Sequence, residues 1–192
     1  MPRVFFSFPV PKPYAAEVHR SLPRQLPVVW YPPQNLHVTL WFVGEVAEAA
    51  IPQLAKTASA LAADSSPFSF TPQAFHVVDR RLRLVFESAA AAALHEALGR
   101  ALVAAQLSAP DPRPYHPHIT LGRPRSQIGA EAMPQPNLAP FAVSEFGLYL
   151  SEPGEHHLGS YTLLHHFPFG NKTGFPQERK SDDLSPARTH SP

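Results

Sequence analysis

The chain of 192 residues contains no cysteine. Disulfide staples and thiolate metal sites are therefore excluded, and the fold has to be held by its core alone. The absence suits a reducing compartment, and a cytoplasmic protein is expected. Excess charge is missing too: 16 basic residues face 15 acidic ones, for a formal net charge of +1. A chain that grips long nucleic acid carries a basic surplus, so any contact with a polyanion should be short and local. No apolar run approaches membrane-spanning length, and no basic-plus-apolar leader opens the sequence, so no membrane partner is expected. There is no glycine-rich phosphate loop and no cluster of carboxylates at metal-ligand spacing, so neither a cofactor nor a metal is expected. The 24 prolines imply stiff loops.

What the chain does have is one short pattern written twice. His37-Val-Thr39-Leu and His118-Ile-Thr120-Leu lie about 80 residues apart. In a strand, residues two apart share a face, so each copy offers an imidazole and a hydroxyl side by side. Two such strands together supply two groups that titrate near neutral pH and two hydroxyls that can hold an anion. His-x-Thr alone is a weak signal, and a lone histidine on a half-exposed strand is more often a surface residue. The matching settings raise its weight: Leu36 through Val46 around the first copy, Pro117 through Arg123 around the second.

Hydrophobic patterning places the motifs in a repeated order of strand, helix and strand. Val4, Phe6 and Phe8 alternate along a first strand. A helix over 13–22 can start at Pro13, and a short apolar run covers 28–31. Leu36 to Val43 reads as the first motif strand, with Leu36, Val38, Leu40 and Phe42 on a core face and His37, Thr39 and Trp41 on the other. Helices are expected over 45–63 and 88–107. Strands over 68–78 and 82–87 form a hairpin joined by Asp79-Arg80-Arg81. The second motif strand spans Tyr115 to Leu121, a proline-rich loop follows over 124–140, and strands over 141–150 and 160–167 close the domain. From Asn171 the chain is polar without periodicity, and residues 171–192 are expected to form a disordered tail.

The paired motifs resemble those that define the 2H phosphoesterase superfamily. Within it, the flanks are most similar to the RNA 2′,3′-cyclic phosphodiesterases, historically called 2′-5′ RNA ligases. The opening Arg3-Val-Phe-Phe-Ser-Phe-Pro9, Glu45 and Val46 after Gly44, and the stretches Ser151–Gly154, Tyr161 and Phe167-Pro-Phe169 also fit that family. The resemblance covers roughly residues 1–170. It implies an α+β, duplicated, bilobal fold with two antiparallel sheets facing a central cleft and helices outside. It implies metal- and ATP-independent hydrolysis of an RNA terminal 2′,3′-cyclic phosphate to a 2′-phosphate, with reversible 2′-5′ ligation as a side of the same chemistry.

On that reading His37 and His118 are the acid and base, in an order the residues leave open, and Thr39 and Thr120 hold phosphate oxygens. Arg123 matches an arginine of the family motif. By strict alternation it points away from His118, and it reaches the cleft only if the strand bends at Gly122. Trp41 shares the face of His37 and could stack on a base. Tyr115 and Tyr161 are further candidates for that surface, and Phe42 has the parity of the core. Arg80, Arg81 and Arg83 read as a solvated basic group near a turn, with steering of RNA as the sharper alternative. His116, His156-His157 and His165-His166 do not make a ligand set of usual spacing. The partner is an RNA or oligonucleotide end, and nothing demands more than a monomer. Two alternatives stay open: a phosphodiesterase for a small cyclic nucleotide, and a non-catalytic module that binds RNA ends. A metal-dependent hydrolase built on the histidines is a third.

Overall fold

The computed structural model describes residues 1–128, 135–153 and 159–170. The expected disordered tail, and His156-His157, lie outside them. Among the described residues, nine strands and three α-helices follow in the order β1 (Arg3–Pro9), α1 (Lys12–Ser21), β2 (Val28–Trp30), β3 (His37–Glu45), α2 (Ile51–Asp64), β4 (Phe68–Val78), β5 (Arg81–Glu87), α3 (Ala89–Ala104), β6 (His118–Pro124), β7 (Phe141–Val143), β8 (Glu145–Glu152) and β9 (Ser160–Pro168). The α+β class and the duplication are as expected: β1-α1 leads to the first motif strand β3, and β5-α3 leads to the second, β6.

All strand pairs are antiparallel, in the order β7-β4-β5-β6-β3-β1-β8-β9. The two lobes, β9-β8-β1-β3 and β7-β4-β5-β6, join where the motif strands meet, through the single pair Val38 and Ile119. Beyond that pair the motif strands part, and β6 turns its outer half to β2, pairing Gly122 with Trp30. A sheet joined at one residue pair curls there and leaves a cleft over the junction.

One face of the sheet makes the core. Val4, Phe6 and Phe8 of β1 are fully buried, and Phe8 meets Phe70 and Phe146 edge-on at 5.3 and 6.3 Å. Each such side chain stabilises by roughly 1.5–3 kcal/mol through burial. Helices α2 and α3 pack on each other and on this side of β8, β9 and β3. The helices start where local chemistry permits. Pro13 and Pro52 sit in first turns, where a missing N–H costs nothing, and the Ser88 hydroxyl caps α3 by accepting from the Ala91 N–H at 3.3 Å.

Several boundaries differ from those read off the sequence, and the single strand expected over 141–150 is two, β7 on β4 and β8 on β1. β3 continues to Glu45 and α2 begins only at Ile51, because Val46 N–H bonds to Pro2 O at 2.9 Å and keeps the chain extended. β6 starts at His118 rather than Tyr115, since Pro114 and Pro117 carry no N–H for a ladder. The hairpin turn is Asp79-Arg80 alone, with φ of 50° and 59°, so Arg81 belongs to β5. Positive φ at both central residues is the turn that matches strand twist.

Candidate active site

The cleft over the junction has a volume of about 1380 Å³. His37, Thr39, His118 and Thr120 all line it, together with Tyr31, Phe42, Arg81, Arg83, Arg123 and Tyr161. The pair Val38 and Ile119 explains the convergence. These residues point into the core with no exposure, so their neighbours on each strand, the histidines and threonines, point the other way.

Both imidazoles are held alike. His37 Nδ1–H donates to the Asn35 carbonyl at 2.8 Å, and His118 Nδ1–H donates to the His116 carbonyl at 2.7 Å. A carbonyl only accepts, so Nδ1 carries the hydrogen in both rings and Nε2 is left for chemistry. The surroundings differ. His37 sits in an aromatic box, with Phe5 at 5.2 Å and Tyr161 edge-on at 4.8 Å. Burial pushes its pKa below the ordinary histidine value, the bond to Asn35 opposes that, and His118 adds a smaller depression. Burial also lowers His118, against its bond to His116, and the guanidiniums of Arg83 and Arg81 and the His116 ring push it the same way. Both rings therefore favour the neutral state.

A β-bulge decides what else reaches the cleft. Ser7 pairs with Thr39 but Phe6 pairs with Trp41, so β3 advances two residues while β1 advances one. Leu40 and Trp41 are consequently both buried, at 1% and 6% exposure, and Phe42 turns out at 45%. This corrects two expectations. Trp41 is a core residue that does not line the cleft. Its Nε1–H donates to Ser108 Oγ at 3.0 Å, and its ring packs 4.8 Å from His95. Phe42 lines the cleft instead, with the Arg3 guanidinium over its ring at 4.8 Å.

Tyr115 is also displaced from the expected surface. It lies behind β3, stacked on His95 at 4.2 Å, and its hydroxyl donates to the Thr39 carbonyl at 3.0 Å. His95 Nδ1–H donates to the Leu40 carbonyl at 2.7 Å. Two side chains thus hold the carbonyls on either side of the bulge, a support invisible in the sequence.

The second motif bulges at the matching place. Arg83 pairs with Thr120 and Leu82 with Gly122, so Leu121 and Gly122 are both buried and Arg123 returns to the cleft side. The bend at Gly122 that Arg123 needs is present. A Cβ there would lie 2.5 Å from the Val29 carbonyl oxygen of β2, so only glycine fits without movement. Arg123 Nε–H donates to the Tyr31 hydroxyl at 3.0 Å.

Several cleft residues were not singled out from sequence. Phe5 was readable, since it alternates with the core residues Val4 and Phe6. The carbonyls of Asn35 and His116 carry no signal in residue type. Tyr31 reaches the site only because its N–H pairs with the Leu121 carbonyl at 2.8 Å. His116 itself is exposed and serves through its backbone, while His166 pairs with Glu145 at 2.6 Å on the outer strands β9 and β8.

The chain has known relatives. A family model described as the 2′-5′ RNA ligase superfamily matches residues 10–153. The chain belongs to the 2′-5′ RNA ligase superfamily. These are the 2H phosphoesterases, a family of hydrolases that includes cyclic phosphodiesterases. An RNA 2′,3′-cyclic phosphodiesterase of Bacillus subtilis is 29% identical over 138 residues, which cover 64% of this chain and 71% of that one. Among solved structures, E. coli LigT in complex with 3′-AMP has a TM-score of 0.74 at 25% identity, covering 88% of this chain and 99% of that one. Apo E. coli LigT gives 0.72 at 26% identity, with coverage of 88% and 98%. The curled antiparallel sheet and its few helices are common to this superfamily member and those neighbours.

Proposed function

We propose that this superfamily member hydrolyses RNA ends carrying a 2′,3′-cyclic phosphate and releases a 2′-phosphate, using His37 and His118 as the acid and base pair. The observation that carries the reading is the matched tethering of the two rings. Each Nδ1–H is held by the carbonyl two residues back, each Nε2 is left free, and both rings line one cleft with a threonine beside each. The curated relative in Bacillus subtilis, with its named activity, supports the same substrate class.

One imidazole takes a proton from water as its oxygen attacks phosphorus, the P–O3′ bond breaks, and the other imidazole delivers a proton to O3′. Burial lowers both rings, but the guanidiniums of Arg83 and Arg81 act on His118, whereas the charge that acts on His37 is that of His118 itself; we therefore assign the base role to His118 and the acid role to His37. Thr39 and Thr120 donate to the non-bridging oxygens, whose charge grows in the transition state, and Arg123 offsets that charge. General acid–base help of this kind contributes about 10²–10⁴-fold. A 5′-hydroxyl in place of water gives a 2′-5′ linkage by the same displacement, so ligation differs only in the nucleophile.

The test is turnover of a short RNA ending in a 2′,3′-cyclic phosphate, with EDTA present and ATP absent. A 2′-phosphate product is expected. A 3′-phosphate product would overturn the placing of the acid. Tight binding without turnover would make the protein an RNA-end binding module.

A further inference from the structure

The chemistry proposed above needs one cation at the phosphate, and the cleft holds three on one side. A cyclic phosphodiester carries one negative charge on two non-bridging oxygens. Thr39, Thr120 and Arg123 already provide donors for both. Arg81 and Arg83 are surplus to that reaction, yet both line the cleft.

Their placing is regular. Val85 stands opposite His118, Arg83 opposite Thr120 and Leu82 opposite Gly122, so Arg83 and then Arg81 lie progressively further from His118. From Val85 to Arg81 the strand covers about 13 Å. The Arg83 side chain is only 19% exposed, and its nearest carboxylate, on the 79% exposed Asp79, is 3.8 Å away. Its buried Nε–H has no hydrogen-bond partner among the described residues. A buried donor left unmade costs free energy, and two neighbouring guanidiniums repel. The arrangement becomes favourable when a second anion arrives. At the opposite end, where β3 and β8 end, Glu45, Glu48 and Glu152 line the cleft together with Arg3 and Met1, so no cationic surplus stands there. A polyanionic chain leaving the site is therefore drawn over β5, where Arg81 and Arg83 stand.

We propose that Arg81 and Arg83 form a second anion subsite, which holds the phosphodiester on the 5′ side of the terminal nucleotide. The substrate is then an oligonucleotide end and not a cyclic mononucleotide. This rests on the cyclic-phosphodiesterase reading and deepens it. The two arginines touch no reacting atom. Their effect on the His118 pKa is common to every substrate and cancels from a ratio of two substrates; what they add for the charged linkage is binding equal in ground and transition states, so it falls on KM.

The test compares three substrates: a dinucleotide ending in a 2′,3′-cyclic phosphate, the same dinucleotide joined by a neutral methylphosphonate, and a 2′,3′-cyclic mononucleotide. With the unaltered protein the charged linkage should raise kcat/KM about 10- to 100-fold over the neutral one, mostly through KM. In Arg81→Gln/Arg83→Gln that ratio should fall to about one. Equal use of both linkages by the unaltered protein overturns the subsite and leaves the activity standing. An unchanged ratio in the double variant also overturns it, as does an equal loss on all three substrates, which would place the arginines on the cyclic phosphate itself. No turnover of any substrate removes both the subsite and the reading beneath it.

Discussion

Phe42 and Arg123 are counterparts. Each lies five residues beyond its motif histidine, each follows a β-bulge, and each is turned to the same cleft by that bulge. One frame therefore carries two different walls: an aromatic one beside His37, with Phe5, Phe42 and Tyr161, and a cationic one beside His118. A terminal nucleotide has an apolar base and a charged phosphate, and a duplicated frame that diverges at matching positions can meet both.

The bulge at Gly122 is what the cationic wall depends on, so Gly122→Ala should damage stability and activity together. The added Cβ would sit 2.5 Å from the Val29 oxygen and 2.7 Å from Val28 Cγ1. Relief means moving β2 or flattening the bulge, and overpacking of this kind costs about 1–3 kcal/mol. Either movement shifts Arg123 and its Tyr31 partner. We expect a lower midpoint in urea unfolding and at least a tenfold loss in kcat/KM. An alanine variant with unaltered midpoint and turnover would mean that β2 yields freely and the bulge does not position Arg123.

Trp41 and Tyr161 should separate structure from substrate contact. Trp41→Ala empties a site packed against Gly99, where an added Cβ would lie 2.3 Å from the indole. It should cost about 3–5 kcal/mol of stability. Tyr161→Ala removes a half-buried ring from the cleft wall and should raise KM with a much smaller loss of stability. Denaturant unfolding and steady-state kinetics on both variants decide the matter. A stable Trp41→Ala protein with raised KM would restore the indole to the substrate surface.

The pairing of the two motifs was legible because His and Thr two apart must share a strand face, whatever the rest of the chain does. The core was legible for the same reason, in Val4, Phe6 and Phe8. Alternation failed where an extra residue enters a strand. Nothing in Leu40-Trp41-Phe42 announces that two consecutive side chains will be buried, and the side of Trp41 and Phe42 was reversed as a result. For Arg123 the glycine before it did announce a bend. Tyr115 and His95 were out of reach, because they meet the bulge from segments distant in the chain and act on its carbonyls. A backbone oxygen left by a bulge has no trace in residue identity.

The acid and base roles can be told apart chemically. His37→Ala and His118→Ala should each lose about 10²–10⁴-fold in kcat/KM, with little change in unfolding, since both rings are only half-buried at the cleft wall. A substrate with sulfur in place of O3′ has a leaving group that needs no proton. It should rescue His37→Ala to within about tenfold of the unaltered protein while leaving His118→Ala impaired, because removal of the acid alone is what the better leaving group offsets. Rescue of His118→Ala instead would exchange the two roles. Rescue of neither would point away from proton delivery to O3′ as a demanding part of the step.

The lowered pKa values of His37 and His118 set the pH dependence of the free enzyme. One ring must be neutral and the other protonated, so kcat/KM should trace a bell centred midway between the two values. Both lie below the ordinary histidine value of about 6.5, and the maximum should therefore fall on the acid side of it. A bound phosphate anion favours protonated imidazole, so the maximum in kcat should lie at higher pH than that in kcat/KM. Stability follows the same shifts. The unfolded chain takes up protons on these rings near pH 6.5, while the folded chain resists them until lower pH. The stability associated with the neutral rings is thus fully present above that value and is lost as pH falls through the folded-state values. His37→Gln should flatten this acid loss in unfolding experiments as pH falls below about 6.5. A kcat/KM maximum well above neutrality, or an acid loss that persists unchanged in His37→Gln, would show that the aromatic box does not lower the His37 pKa.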